Sequence, residues 1–341
     1  MGTLIATYNQ EMEALLRTKV CDFNVRLSDS PLFPLIEKYQ RELKALGLEN
    51  FFPTYYPGDE WFCADGLISI SIPFTLCDKK LMRIEKKVVG TTEGSTPVKF
   101  LKLLRHETGH AFDHAYKLSS LKRWQHIFGS PKRKYQTGDY FYLPYSKGFP
   151  RNLSDSYAQS HPCEDFAECF ATVTDKSHNW RQRYRNAPKT LQKLEYVDQL
   201  IVKYGPQKPR RFSTDTPYSQ KDVNLTLRTY FKQRIKDLGD HSPTYLDQIL
   251  GEIYPNRTFS RYNLAQLLKD ESNSIHSYLK GSQHLPIYFS KRTLTKLISH
   301  AKQRKIKISK NQFTKQKPQL LTTIVQLNKI QRRETNKQQK D

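Results

Sequence analysis

Leu103-Leu-Arg-His106-Glu107-Thr-Gly-His110-Ala-Phe-Asp-His114 is the stretch that decides the fold, because it places an H-E-x-x-H box inside a segment with helical periodicity. On a helix, residues four apart lie one above the other, so the imidazoles of His106 and His110 can bind one metal ion with Glu107 beside it. This pattern is the first half of a zinc hydrolase site. A surface helix with two histidines is the plain alternative, and a third ligand would separate the two interpretations.

The residues before the box predict where its helix begins. Ser95-Thr96-Pro97 offers a hydroxyl for the N-cap and a proline for the first turn. Apolar residues then recur with helical spacing to about Leu118. The box therefore lies in the middle of a partly buried helix.

An alternating segment upstream predicts a strand. From Ile68 to Leu76, apolar residues alternate with serine, proline or threonine, which is typical of a strand with one buried face. Pro73 cannot donate a hydrogen bond to a neighbouring strand, so we expect this strand at a sheet edge, where an extended peptide could pair with it. An edge strand that binds nothing fits the same pattern.

The best candidate for a third ligand lies in the segment 161–171. Pro162 suits a first helical turn, and apolar residues mark one buried face: Phe166, Ala167, Phe170 and Ala171. Glu164 and Glu168 lie one turn apart on this helix. Glu164 would complete a His-His-Glu site for Zn2+, and Glu168 would accept a hydrogen bond from a ligand imidazole and fix its tautomer. Acidic residues that complement the helix dipole are the alternative.

Three further residues near these motifs are weaker candidates. Asp113 follows His110 by one turn and could support a zinc-bound imidazole, although a solvated helix carboxylate fits equally well. His114 lies two turns from His106, too far for both to bind one ion. For His161, just before the second helix, capping or packing is the better interpretation than a role in a cleft.

The box and the glutamate helix belong to a longer run of motifs, in residues 105–113, 121–124, 157–171, 180–184 and 193–198. In combination these segments resemble a family of bacterial zinc-binding metallopeptidases in the gluzincin group. The resemblance covers roughly residues 100–205. It implies a zincin-like α+β catalytic domain with a small sheet and an active-site helix, bound Zn2+, and a protein or peptide substrate.

A more distant similarity, through Glu164-Asp-Phe-Ala-Glu168 and Asn186-Ala-Pro-Lys-Thr190, links the chain to the catalytic domain of anthrax lethal factor. In that relative a tyrosine seven residues before the glutamate ligand assists catalysis, and the matching residue here is Tyr157. The similarity implies that Tyr157 hydrogen-bonds the oxyanion. The polar residues around Tyr157 in the sequence are equally compatible with a tyrosine that only anchors a loop.

Composition limits the compartment and the class of protein. The 341 residues include 20 Tyr and 18 Phe, enough to build a core. The five cysteines form no C-x-x-C pair and are odd in number, which favours free thiols in a reducing cytoplasm. The N-terminus lacks the pattern of a signal peptide, and no segment has the length of a membrane span. We therefore expect a cytoplasmic protein.

The net charge of +23 is concentrated toward the C-terminal end. Proline and polar residues after Gly205 suggest a linker. We expect a metallopeptidase domain at 1–205, a linker at 206–220 and a mostly helical, basic region at 221–341 with a frayed tail. The lysines and arginines of this region could attract nucleic acid or an acidic partner, but a solvated helix face has the same composition.

Together these features predict a zinc metallopeptidase, an endopeptidase in preference to an exopeptidase. Zn2+ would be bound by His106, His110 and Glu164, and Glu107 would act as general base on a metal-activated water. The alternative from another class is a nucleic-acid-binding protein with a structural or vestigial zinc site and a basic C-terminal binding surface.

Overall fold

The computed structural model describes residues 2–89, 92–135, 146–210, 213–240, 250, 253–254, 262–282, 294–295, 297–302 and 305–322. The described residues form two compact units, the first ending at residue 236 and the second beginning at residue 237. Most described residues are helical, and a small three-stranded sheet lies in the first unit. The prediction of an α+β fold is confirmed.

The elements of the chain follow in this order. The helices are α1 (Gly2–Arg17), α2 (Phe33–Ala45), α3 (Lys79–Val88), α4 (Pro97–Tyr116), α5 (Lys122–Phe128), α6 (Pro162–Thr174), α7 (Trp180–Arg183), α8 (Pro188–Tyr204), α9 (Leu227–Asp240), α10 (Leu264–Asp270) and α11 (Ser272–Ser282). The strands are β1 (Thr54–Gly58), β2 (Phe62–Cys63) and β3 (Ser69–Pro73). Residues 310–322 are also helical.

The sheet has the order β1-β3-β2, with β3 parallel to β1 and antiparallel to β2. The alternating segment is therefore the central strand, and the prediction of an edge strand was wrong. Pro73 is tolerated because it is the last residue of β3 and lies beyond Ile70 and Ser71, the residues that pair with β2. The strand also stops earlier than predicted, since residues 74–77 form a 3-10 helix.

Both faces of β3 are buried, although the alternation predicted one polar, exposed face. Ser69 Oγ donates a hydrogen bond to the carbonyl of Asp215, and Gly58 of β1 forms an isolated bridge with Ser219. Residues 215–219 lie in the segment predicted as a linker, and here they cover the sheet. The domain boundaries given above stay a prediction.

Helices α4 and α6 pack closely in the core of the first unit. Gly109 permits this approach, because a Cβ atom at its position would lie 2.8 Å from Ala167 Cα. The aromatic rings of Phe112 and Phe170 continue the contact, with centroids 5.2 Å apart. The packing places the faces that carry the H-E-x-x-H box and the two glutamates against each other.

The described part of the second unit is helical and has an apolar core of its own. This core includes Leu264, Leu268, Ile275, Leu297, Phe313 and Leu320. The helical character predicted for the C-terminal region is thus confirmed for the described residues, whereas the predicted frayed tail lies outside them. Among the described residues, no helix is long and apolar enough to cross a membrane.

Candidate metal centre

The helix that carries the box begins where its sequence predicts and ends at Tyr116, two residues before the predicted end. Thr96 is the N-cap, and its side chain accepts a hydrogen bond from the backbone N–H of Lys99. Pro97 occupies the first turn, where its missing N–H costs nothing. Lys117 adopts a left-handed conformation, with φ of 53°, and ends α4. His106 and Glu107 are buried in the middle of this helix, as predicted, and His110 is partly exposed.

The second helix of the site is fixed at its N-terminus by His161. The Nδ1 atom of His161 accepts the backbone N–H of Cys163, and Nε2–H donates to the carbonyl of Arg133 at 2.7 Å. The Tyr135 ring stacks on the imidazole with centroids 3.8 Å apart. The capping interpretation of His161 is therefore confirmed. Beyond this cap, α6 buries Glu164 and Glu168 against α4.

Three candidate ligand atoms converge between these helices. His106 Nε2 lies 3.0 Å from Glu164 Oε2, and His110 Nε2 lies 3.2 Å from each of these atoms. Bonds of ~2.0–2.1 Å at tetrahedral angles separate the ligand atoms of a zinc site by roughly 3.3 Å. The triangle is thus close to the size that zinc requires, and its donor set of two imidazoles and one carboxylate suits the same metal.

Glu168 fixes the orientation of the His106 ring. Its Oε1 atom lies 2.9 Å from His106 Nδ1. A carboxylate oxygen accepts hydrogen bonds, so this contact places a proton on Nδ1 and leaves Nε2 to face the other ligand atoms. Glu168 also accepts hydrogen bonds from the backbone of Asn152 and Leu153 and from the side-chain amide of Asn152. These hydrogen bonds hold Glu168 beside His106 Nδ1, outside the ligand triangle.

Charge within the cluster favours an ionised Glu164 beside protonated imidazoles. Burial alone would raise the pKa of Glu164, but the imidazoles of His110 and His106 hold it well below its usual range. Burial opposes a charge on His106, whereas Glu164 and Glu168 raise its pKa well above the usual value. Glu164 is therefore ionised, as a zinc ligand must be, whereas a metal ion would displace protons from the two imidazoles when it binds.

Glu107 is 7 % exposed and lies beside the triangle without belonging to it. Burial raises the pKa of its carboxyl group, and the charges of His106 and His110 oppose this shift. A raised pKa brings a carboxylate closer to neutral pH, where a general base is most effective. The direction of this shift is the one that a general base requires, and the role of Glu107 stays a prediction.

Tyr157 lies on the 3-10 helix Ser154–Gln159, and its ring centroid is 5.5 Å from that of His106. The side chain is half-buried, and the chain turns back to α6 immediately after it. The structure therefore places Tyr157, which precedes Glu164 by seven residues, beside the imidazole of His106 on the other helix. Its role toward substrate stays a prediction.

The remaining candidates lie around the cluster. Asp113 is buried, and its Oδ1 atom accepts the backbone N–H of Ser119 at 2.6 Å. This contact anchors the end of α4, and support of His110 by Asp113 stays a prediction. His114 Nδ1 lies 3.0 Å from the carbonyl of Leu67, outside the ligand triangle. The exclusion of His114 as a ligand agrees with this placement.

Asn152 is a residue of the site that the sequence did not predict. Its amide reaches Glu168 Oε1 at 3.0 Å, across sixteen positions of the chain. The surrounding Pro150-Arg-Asn-Leu153 has no periodicity and no motif. The contact of Asn152 with Glu168 is visible only in the folded structure, where this segment packs against α6.

Comparison with known proteins supports the metal centre. A model of the family described as "Putative zinc-binding metallo-peptidase" matches residues 98–200. The match extends from α4 into α8 and contains every residue of the ligand triangle. No curated protein and no solved structure gives a significant match. The chain is therefore similar to this family over the residues that build the site, and the similarity to lethal factor stays a prediction.

Proposed function

We propose that this protein is a zinc-dependent peptide-bond hydrolase of the gluzincin type. The observation that carries the proposal is the triangle of His106 Nε2, His110 Nε2 and Glu164 Oε2, with sides of 3.0–3.2 Å. The family match over the same residues supports peptide hydrolysis and a protein or peptide as the substrate. An endopeptidase is the form that we propose.

Each residue of the centre has a proposed task. When bound by His106, His110 and Glu164, zinc supplies Lewis acidity, which acidifies water and polarises a carbonyl group. Glu107 takes the proton from the attacking water and later delivers it to the leaving amine. Glu168 keeps the proton of His106 on Nδ1, as its 2.9 Å contact supports.

Two further side chains complete the proposal. Tyr157 donates its phenolic hydrogen to the oxyanion that develops on the substrate carbonyl, and its position beside the His106 ring supports this role. Asp113 is buried one turn beyond His110 and supports the His110 imidazole through its charge. All five cysteines are free, which suits a reducing compartment, and we place the protein in the cytoplasm.

Metal analysis and a peptide-library digest test the proposal together. Purified protein should contain close to one zinc per chain, and it should cleave peptides within the library. Glu107→Gln keeps the ligands and removes the proton acceptor, so zinc should stay while turnover falls by at least ~10²–10⁴. Glu195→Gln changes an exposed glutamate of α8 and is the matched control, which should cleave as the wild type does.

The same experiment can overturn the proposal. If the wild type and Glu107→Gln both retain zinc but neither cleaves any peptide, the metal is structural. Equal turnover in wild type and Glu107→Gln would remove Glu107 from the chemistry. A protein that binds no zinc at all would leave the His-His-Glu cluster without its proposed task.

A further inference from the structure

The carboxylate of Glu168 contacts two different parts of the chain. Its Oε1 atom faces His106 Nδ1 at 2.9 Å and also accepts the side-chain amide of Asn152 at 3.0 Å. Its Oε2 atom accepts the backbone N–H groups of Asn152 and Leu153, at 3.1 and 2.8 Å. One fully buried carboxylate therefore joins a metal-ligand imidazole to the segment around Asn152.

Asn152 also contacts the helix that carries the histidines. Its carbonyl accepts a hydrogen bond from Lys102 Nζ at 3.0 Å, and its amide lies 3.4 Å from the carbonyl of Lys102. Lys102 is one turn before His106 on α4. Asn152 thus binds both α4 and α6, the two helices whose separation sets the size of the ligand triangle.

The residues just before Asn152 are also held by hydrogen bonds. Lys193 Nζ donates to the carbonyl of Gly148 at 2.7 Å, and Thr190 Oγ1 donates to the carbonyl of Lys147 at 2.7 Å. The backbone N–H of Arg151 donates to Tyr184 Oη at 3.0 Å. These contacts leave Asn152 little freedom to move, so it can act as a fixed support for Glu168.

The chemistry of an amide suits this support. The side-chain N–H of Asn152 holds Glu168 Oε1 beside His106 Nδ1, and it adds no charge to the centre. A cationic side chain at this position would neutralise Glu168 and weaken its pull on the His106 N–H, whereas a carboxylate would repel it. Five residues beyond Asn152 the same segment presents Tyr157 to the His106 ring.

We infer that Asn152 is a positioning residue of the metal centre. It acts through Glu168 to orient His106 Nε2, and it fixes the start of the segment that carries Tyr157. This inference rests on the proposed zinc-dependent function. It assigns to Asn152 an effect on zinc affinity that a residue of the loop surface would not have.

Zinc affinity of the purified protein tests the inference. We would measure the dissociation constant by competition with a chelator for the wild type, Asn152→Ala and Asn152→Asp. Supporting interactions of this kind change metal affinity by roughly 10–100-fold, and we expect Asn152→Ala to weaken binding within this range. Asn152→Asp should weaken it further, because it sets a second carboxylate against Glu168 although its shape is conserved. Asn50, whose amide donates to the carbonyl of Pro206, provides matched controls that should bind zinc as the wild type does.

A double-mutant cycle separates this role from a merely structural one. If Asn152 acts through Glu168, Asn152→Ala should cost less than about threefold in zinc affinity when Glu168→Gln is already present. The circular dichroism and melting temperature of the metal-free variants show whether they are folded. If Asn152→Ala does not fold, the same cycle is measured with the isosteric Asn152→Asp. Its effect on zinc affinity should likewise be small when Glu168→Gln is already present.

The outcomes distinguish the two proposals. A wild type that binds no zinc would overturn the proposed function and this inference with it. A wild type that binds zinc with an affinity unchanged by Asn152→Ala would overturn the inference alone. The inference would also fall if the effects of Asn152→Ala and Glu168→Gln were additive, or if Asn152→Asp bound zinc more tightly than Asn152→Ala.

Discussion

The two compact units differ in what they bury. The first unit encloses ionisable side chains that are less than a tenth exposed, namely Glu85, Arg105, His106, Glu107, Asp113, His161, Glu164, Asp165 and Glu168. Among the described residues of the second unit, His300 is the only buried residue of the polar or charged type. Its core is otherwise made of leucine, isoleucine, alanine, tyrosine and phenylalanine.

The difference indicates where the chemistry of the molecule lies. Removing a charge from water costs several kcal/mol in a real protein, and its partners offset this cost only when their geometry is good. The buried charges that lie together, those of His106, Glu164 and Glu168, therefore point to a site, whereas an apolar core needs only to be stable. Substitutions in the two units should have correspondingly different effects.

Loss of the third ligand should have the largest effect. Glu164→Ala leaves two histidines to bind the metal, so most of the zinc should be lost on dialysis. Metal analysis of the dialysed protein measures this loss, and Glu195→Ala is the exposed control. Full zinc occupancy in Glu164→Ala would exclude Glu164 as the ligand and would direct attention to Glu168.

Removal of the Tyr157 hydroxyl should affect turnover and spare the metal. Loss of one oxyanion donor typically costs about 10²–10³ in turnover, because its hydrogen bond strengthens in the transition state. Tyr157→Phe should retain zinc and keep the Michaelis constant within a few-fold of the wild-type value. Steady-state kinetics on a peptide cleaved by the wild type would measure both constants. Tyr278→Phe, an exposed tyrosine of the second unit, should change neither constant, and unchanged turnover in Tyr157→Phe would exclude the oxyanion role.

A methyl group between the two ligand helices should affect stability and zinc binding together. The Cβ of Gly109→Ala would meet Ala167 Cα at 2.8 Å. Overpacking of a core typically costs ~1–3 kcal/mol, more than the gain of ~1 kcal/mol from the higher helix propensity of alanine. We expect a lower melting temperature and weaker zinc binding, because α4 and α6 must separate. Gly148→Ala, where the nearest atom is Ser146 Oγ at 3.5 Å, is the control, and equal zinc affinity in Gly109→Ala would refute the coupling.

The smallest effect should come from a charged pair of the second unit. Lys317 Nζ lies 2.6 Å from Glu271 Oε2, and 42 % of the Glu271 side chain is exposed. Exposed ion pairs contribute about 0–1 kcal/mol, so Lys317→Ala should lower the free energy of unfolding by no more than this. Zinc content and turnover should match the wild type. A loss of zinc in this variant would contradict the division of roles between the units.

Local patterns were sufficient to predict the residues of the ligand triangle. The spacing of His106 and His110 follows directly from helical geometry, and the structure places both on α4. Glu164 and Glu168 were recognisable because carboxylates on an apolar helix need partners. The sequence assigned Glu164 to the metal and Glu168 to the support of a ligand imidazole, and the structure places Glu164 at Nε2 and Glu168 at Nδ1 of His106.

Features that depend on distant parts of the chain could not be predicted in the same way. Pro73 suggested an edge strand, but its effect is confined to the end of β3, where β2 has already finished. The serines of β3 appeared suited to solvent, but a segment 146 positions later in the chain covers Ser69. Asn152 has no local signal, because its task arises only when its segment returns to α6.

The ligand triangle combines a local pair with a distant partner, which has a consequence for the order of folding. His106 and His110 share one helix, whereas 58 positions separate His106 from Glu164. Closing a loop of this length costs conformational entropy that a single helix does not lose. A refolding chain can therefore present both histidines as soon as α4 forms, but it gains the carboxylate only when α6 docks. The time at which refolding protein acquires tight metal binding would report that docking step, independently of helix formation.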